Sequence, residues 1–180
     1  MMKSLLRIAT ATTFLAAVAS ADDFPGSAGI GAAKPIGDLG KGSNFGFVVN
    51  VGYNFMIFSG LGLRPEVTIN LFEIKSSAGG GAASEMGFMG NVVYYPPIPA
   101  AVMNPYAIAG IGYIGGTRNV GNSPNSNALG YGLGGGVEFA PLGKYQFFLE
   151  IRYMSSSHSY PGYNSTSMWV PLTLGMRFGL

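Results

Sequence analysis

The C-terminal stretch Met168–Leu180, MWVPLTLGMRFGL, alternates in polarity without a break. Counting back from its end, Leu180, Phe178, Met176, Leu174, Leu172, Val170 and Met168 are apolar, and Arg177, Gly175, Thr173, Pro171 and Trp169 occupy the other register. Successive side chains of a strand point to opposite faces, so this pattern is one strand whose two faces meet different media. In a water-soluble sandwich the apolar face turns inward. In a membrane barrel it turns out to lipid, and Arg177 points into the lumen.

Composition favours the second arrangement. Of 180 residues, 48% are hydrophobic and only 10% charged, against roughly a quarter charged in a typical soluble domain. Gly, Asn or Ser interrupts every apolar run before it reaches the roughly 18 residues that a spanning helix needs. Lipid offers the backbone no hydrogen-bond partner, so a sheet crosses a membrane only by closing on itself. There is no cysteine, which excludes disulfides, thiolate chemistry and Cys-ligated metals.

Residues 1–21 have the layout of a cleaved export signal. Lys3 and Arg7 make the basic start, Ile8 to Val18 the apolar middle, and Ala19-Ser20-Ala21 an A-x-A cleavage site. The mature domain then spans residues 22–180. Removing Lys3 and Arg7 balances the 10 Lys and Arg against the 8 acids, so the chain carries no basic excess and implies no nucleic-acid partner.

Working back from the terminal strand, seven more alternating segments lie between Gly, Pro, Asn and Ser clusters. They are Ser27 to Ala33, Asn44 to Ile57, Leu61 to Phe72, Ala83 to Tyr95, Asn104 to Gly115, Asn127 to Phe139 and Tyr145 to Met154. The second sets Phe45, Phe47, Val49, Val51, Tyr53, Phe55 and Ile57 on its oily face. The third opposes Leu61, Leu63, Val67, Ile69 and Leu71 to Arg64, Glu66, Thr68 and Asn70. The fifth is apolar on both faces and leaves two outer sets open, Tyr106/Ile108 or Ala107/Ala109/Ile111. The sixth has Gly130, Gly132, Gly134 and Gly136 on its inner face, which leaves room for long side chains from elsewhere.

Polar loops (Lys34 to Ser43, Glu73 to Ala82, Gly116 to Ser126, Ser155 to Ser167) alternate with mostly shorter, more apolar turns (Phe58 to Gly60, Pro96 to Met103, Ala140 to Lys144). Long loops at one end and short turns at the other, with an even strand number, put both termini on the periplasmic side of an outer-membrane barrel. Outward aromatics fall into two bands: Tyr53, Phe55, Tyr94, Phe139, Phe147 and Phe178 near the short turns, and Phe45, Phe47, Phe88, Tyr131 and Tyr153 toward the loops. Aromatic side chains favour the two membrane interfaces, which a soluble sandwich does not have.

The chain resembles the small outer-membrane β-barrel family of the opacity-porin type and of the membrane domain of outer membrane protein A. The residues that carry the resemblance are Pro35-Ile36-Gly37-Asp38-Leu39-Gly40 with Phe45-Gly46-Phe47, Asn104-Pro105-Tyr106 with Gly110-Ile111-Gly112-Tyr113, Gly134-Gly135-Gly136-Val137-Glu138-Phe139, Leu149-Glu150-Ile151-Arg152-Tyr153 and Gly175-Met176-Arg177-Phe178. These motifs express barrel geometry, so the resemblance implies a fold and a location rather than an activity. Such chains often end on an aromatic residue recognised by the outer-membrane insertion machinery; here Gly179-Leu180 follow Phe178.

The inward register collects Arg64, Glu66, Glu85, Glu138, Glu150, Arg152 and Arg177. Their strand positions suggest two groups, Arg64/Glu66/Glu138/Arg177 near the short turns and Glu85/Glu150/Arg152 nearer the loops. An eight-stranded barrel is just wide enough for side chains to fill, so these charges read as a lumen-plugging ion network, with a narrow ion pathway as the alternative. His158 is the only histidine. In Ser155-Ser156-Ser157-His158-Ser159 it reads as a loop residue without a partner. Lipid A-modifying hydrolases of similar size place a His and a Ser two apart on one strand, and the comparable His position here is Met154. Ser156 shares the parity of His158, with Glu150 as a candidate acid, but nothing in the spacing fixes a catalytic geometry. No metal cluster or cofactor fingerprint is present. In the loops, Lys34, Lys41, Lys75 and Arg118 exceed Asp38 and Glu73, which suits anionic lipopolysaccharide or a host surface.

The expectation is therefore an all-β protein, an eight-stranded antiparallel up-and-down transmembrane β-barrel, monomeric in a bacterial outer membrane. It needs no cofactor, contacts lipid and lipopolysaccharide, and has an envelope-structural or surface-interaction role through its loops. A small pore and a lipid A-modifying hydrolase are the alternatives.

Overall fold

The computed structural model describes residues 26–98, 103–118, 126–139, 145–160 and 163–178. The expected export signal and the Gly179-Leu180 end lie outside the described residues. The elements are β1 (Gly26–Ile36), α1 (Gly37–Gly42), β2 (Ser43–Tyr53), β3 (Phe55–Phe58), β4 (Leu61–Ile74), a 3-10 turn (Ser76–Ala78), β5 (Ala82–Tyr94), β6 (Met103–Arg118), β7 (Ser126–Phe139), β8 (Tyr145–Tyr160) and β9 (Tyr163–Phe178). β2 and β3 are two lengths of one stave interrupted at Asn54, and both pair with β4. Each stave is antiparallel to its sequence neighbours, and β1 also pairs with β9 from Gly26↔Phe178 to Ile36↔Met168. That ladder closes an eight-stranded barrel and leaves no open edge around its circumference.

Burial follows the inverted pattern. Phe47 is 49% exposed and Leu174 57%, whereas Arg64 is 1% and Arg152 5% exposed. Apolar side chains cover the outside and ionic ones fill the inside, the inverse of a soluble sandwich. Among the described residues no helix is long and apolar enough to cross a membrane; the strands are the spanning elements.

The structure decides the fifth stave. Tyr106, Ile108 and Ile114 of β6 are buried inside, and Ala107, Ala109, Ile111 and Tyr113 face out. Tyr106 has a polar partner only within the lumen, which fixes the parity of a segment whose two faces are equally apolar.

Two expected loops are corrected. The segment from Ser155 to Ser167 is largely wall, because β8 runs on to Tyr160 and β9 begins at Tyr163, paired from Tyr160↔Tyr163 to Ser155↔Met168. Above the lipid-facing belt both faces of a strand meet polar surroundings, so alternation disappears while the ladder continues. In the first loop, β1 persists to Ile36 and the chain then folds as α1, with Leu39 buried among Ala33, Val48, Phe72 and Trp169. Gly37 starts this helix at φ 59, a left-handed conformation that favours glycine.

Candidate functional site

The candidate site is the barrel interior. Its centre joins two opposite staves, since β4 and β8 lie four places apart around the ring of eight. From β8, the Arg152 guanidinium donates to both oxygens of Glu66 on β4, Nη1 to Oε1 at 2.7 Å and Nη2 to Oε2 at 2.6 Å. Its Nε donates to Glu150 Oε1 at 2.6 Å. Arg64 answers from β4, with Nη1 donating to Glu150 Oε2 at 2.7 Å and Nε to Asn54 Oδ1 at 2.8 Å. The four charges cancel. All are at most 5% exposed, so each depends on the others for the solvation that water would have given.

Tyr106 donates to Glu150 Oε2 at 2.8 Å. The Arg64 and Arg177 guanidinium groups both lie 5.5 Å from its ring centroid, within cation–π range. Toward the short-turn end, Arg177 pairs with Glu138, and Tyr95 donates to Glu138 Oε1 at 2.8 Å while accepting from Arg177. Toward the loop end, His158 Nε2 lies 3.3 Å from Glu85 Oε2 and 2.9 Å from Ser156 Oγ.

The grouping by strand position is thus corrected. Glu150 and Arg152 join Arg64 and Glu66, Glu138 and Arg177 form a separate pair with Tyr95, and Glu85 is matched by His158. Staves tilt in a barrel, so residues at equal distances along two strands are not at equal heights. His158 is corrected from a loop residue to a buried wall residue, 1% exposed and partnered by Glu85 and Ser156. Glu150, weighed as its acid, is committed to the two arginines.

Glycine spacing explains how such large groups fit. A Cβ on Gly136 would come within 2.6 Å of the Tyr106 hydroxyl, and one on Gly134 within 2.9 Å of Arg152 Cγ. The space on β7 is therefore occupied by Tyr106 and the Arg152 stem. Beyond the charges, Phe72, Met89, Ile114, Met154 and Trp169 form an apolar layer completed from above by Leu39. Lys75 holds α1 in place by donating to the carbonyls of Gly40 at 2.8 Å and Lys41 at 3.2 Å. Side-chain hydrogen bonding to Lys41 draws the exposed Asp38 carboxyl below its ordinary range. Two of the loop lysines are therefore engaged within the protein. Sequence reading missed Asn54, Tyr95 and Tyr106 as network members. Asn54 had inward parity and Tyr95 stood at a stave end, whereas Tyr106 gave no signal, because the parity of its segment is open in the sequence.

Among the described residues, no group of three or more His, Asp or Glu side chains is placed to hold a metal ion. Ser156 and Glu85 both approach the same ring nitrogen of His158, whereas a Ser-His-acid triad places them on opposite nitrogens.

Residues 7–178 match the family model described as the outer membrane protein beta-barrel domain. No curated protein matches the chain. Among solved structures it is similar to neisserial surface protein A, at 18% identity and a TM-score of 0.69, over 87% of this chain and 97% of that one. It is also similar to outer membrane protein OprG of Pseudomonas aeruginosa, at 16% identity and a TM-score of 0.53, over 89% and 97%. At these identities the likeness is one of fold.

Proposed function

The chain belongs to the outer membrane protein β-barrel family, and on that premise we propose that it is a closed, non-catalytic barrel with an envelope-structural and surface-interaction role. The supporting observation is the neutral four-charge cluster tying β4 to β8 across the lumen. An ion pathway needs a wetted bore with binding weak enough to release its ion; here guanidinium and carboxylate groups consume one another in buried bidentate contacts. The apolar layer under α1 adds a second barrier. Against hydrolysis stand the burial of Ser156, His158 and Glu85 and their convergence on one nitrogen.

The surface role rests on the outer wall. β8 and β9, 16 residues each, pair at the loop end as Ser157↔Thr166 and His158↔Ser165, where exposed Ser157 and half-buried Ser165 and Thr166 give a polar rim for contact with lipopolysaccharide or a host ligand. Export by cleavage after Ala21, insertion by the outer-membrane machinery and a monomeric state complete the reading. Planar-bilayer recording tests it: purified protein gives no stepwise conductance, and a reproducible unit current refutes the closed lumen. Mass spectrometry of lipid A from expressing cells, with His158→Ala as control, shows no acyl change; a His158-dependent change refutes the non-catalytic assignment.

A further inference from the structure

One cation stands on the lipid side of the wall. On β1 the buried Ala33 and Pro35 face inward, and Lys34 between them is exposed on the outer face. Among the strand residues with described side chains it is the one Lys or Arg so placed, because Arg64, Arg152 and Arg177 all turn into the lumen. Its surroundings are apolar. Lys34 pairs with Val170 of β9, and Ile36, next on the same face, pairs with Met168. Met168 Sδ in turn accepts from the Tyr153 hydroxyl at 3.0 Å. One step toward the periplasm on this face, Ala32 lies between Phe47 of β2 and Leu172 of β9, 49% and 48% exposed. Lys34 is two residues from that row, about 7 Å along the strand. Phe47 and Tyr153 belong to the loop-end aromatic band, so Lys34 sits at the outer membrane interface.

A lysine beside acyl chains lays its stem along the wall and lifts its ammonium to the headgroups. The other described loop cations are committed elsewhere, Lys41 to Asp38 and Lys75 to the α1 carbonyls. Of the described acids, Glu66, Glu85, Glu138 and Glu150 lie in the lumen. Glu73 is two staves away on β4, accepting from Asn44 at 3.4 Å. None of these acids pairs with Lys34.

We propose that Lys34 is a docking point for a phosphate group of lipid A in the outer leaflet, at the face of the barrel made by β1 and β9. The inference rests on the lipopolysaccharide contact proposed above and assigns it a residue. The two parts of such a lipid match the two parts of this surface: acyl chains lie against Ile30, Phe47 and Leu172, and the phosphate meets the ammonium above them. A water-soluble anion would match only the second part.

Native mass spectrometry of the folded barrel, released from detergent micelles after equilibration with lipid A, tests this, and heat-modifiable migration verifies each variant. Lys34→Met lowers retention of lipid A carrying both phosphates about fivefold, the contribution of about one interfacial cation. Lys34→Arg retains the lipid, and fully dephosphorylated lipid A binds the wild type no better than lipid A binds the Lys34→Met protein. Lys41→Met leaves retention unchanged within error, since Asp38 already neutralises that charge. Equal retention by the wild type and Lys34→Met refutes the site and leaves lipopolysaccharide contact elsewhere on the barrel standing. An equal loss with Lys41→Met refutes it in favour of diffuse loop charge. Lys34-dependent retention of phosphatidylglycerol as strong as that of lipid A refutes the choice of lipid. A wild-type barrel that retains no lipid A overturns the site and the lipopolysaccharide reading together.

Discussion

Arg152 offers the sharpest test of a closed lumen. Arg152→Met keeps most of the stem and deletes a guanidinium that touches Glu66 and Glu150 at 2.5 to 2.7 Å. At an effective dielectric near 20, unit charges about 4 Å apart attract by about 4 kcal/mol, and Arg152 faces two carboxylates. Desolvation consumes several kcal/mol per ion, so removing one member and stranding the rest costs about 3–5 kcal/mol. Glu66→Gln alone strands a positive charge at similar cost. The double variant leaves Arg64 with Glu150 at 2.7 Å, a neutral pair, and its loss falls below the sum of the singles by about 2 kcal/mol. Urea unfolding in phospholipid vesicles measures this, with the fully buried Trp169, the one tryptophan of the chain, as the fluorescent reporter. Single losses that add within about 0.5 kcal/mol would show that water solvates each charge independently. The ion-plug argument would then fail.

Further outcomes follow from the same interior. Gly136→Ala places a methyl 2.6 Å from the Tyr106 hydroxyl and 2.5 Å from the Leu149 carbonyl; the overpacking costs about 1–3 kcal/mol, read as a lower urea midpoint. Leu39→Ala empties the apolar layer beneath α1 at a cost of about 2–5 kcal/mol, and faster cleavage by an added protease between β1 and β2 marks the loosened helix. Asp38→Asn leaves the unfolding midpoint unchanged within error. The Asp38 carboxyl sits below its ordinary range, so its contribution is present at neutral pH and fades on acidification, but Asp38 and Lys41 are both largely exposed and such pairs contribute little.

The barrel wall was legible because lipid and lumen impose opposite demands on alternate residues. Arg64 and Glu66 beside Leu63 and Val67 admit one parity. β6 was illegible for the converse reason, since isoleucine and alanine suit the outer surface and the packed interior equally, and its two tyrosines lie on opposite faces, Tyr106 bonded inside and Tyr113 exposed outside. The Ser155–Ser167 segment looked like a loop because serine and threonine are tolerated on both faces of a strand that has left the membrane. α1 was hidden in Gly37-Asp38-Leu39-Gly40-Lys41-Gly42, whose three glycines signal a turn; Leu39 alone hinted at burial. The identities of the lumen charges were readable from parity, but their partners were not, because strand tilt sets which side chains meet across the bore.

Two charged contacts across the lumen, Arg64 with Glu150 and Arg152 with Glu66, each join residues 86 positions apart. When the first four staves have formed, Arg64 and Glu66 still lack their counter-ions from β8. Charge neutralisation thus coincides with arrival of the final hairpin, the same event that brings β9 to β1. A half-built chain carries exposed ions that resist entry into lipid, so the protein's own electrostatics favour completing the cylinder before it is released into the bilayer.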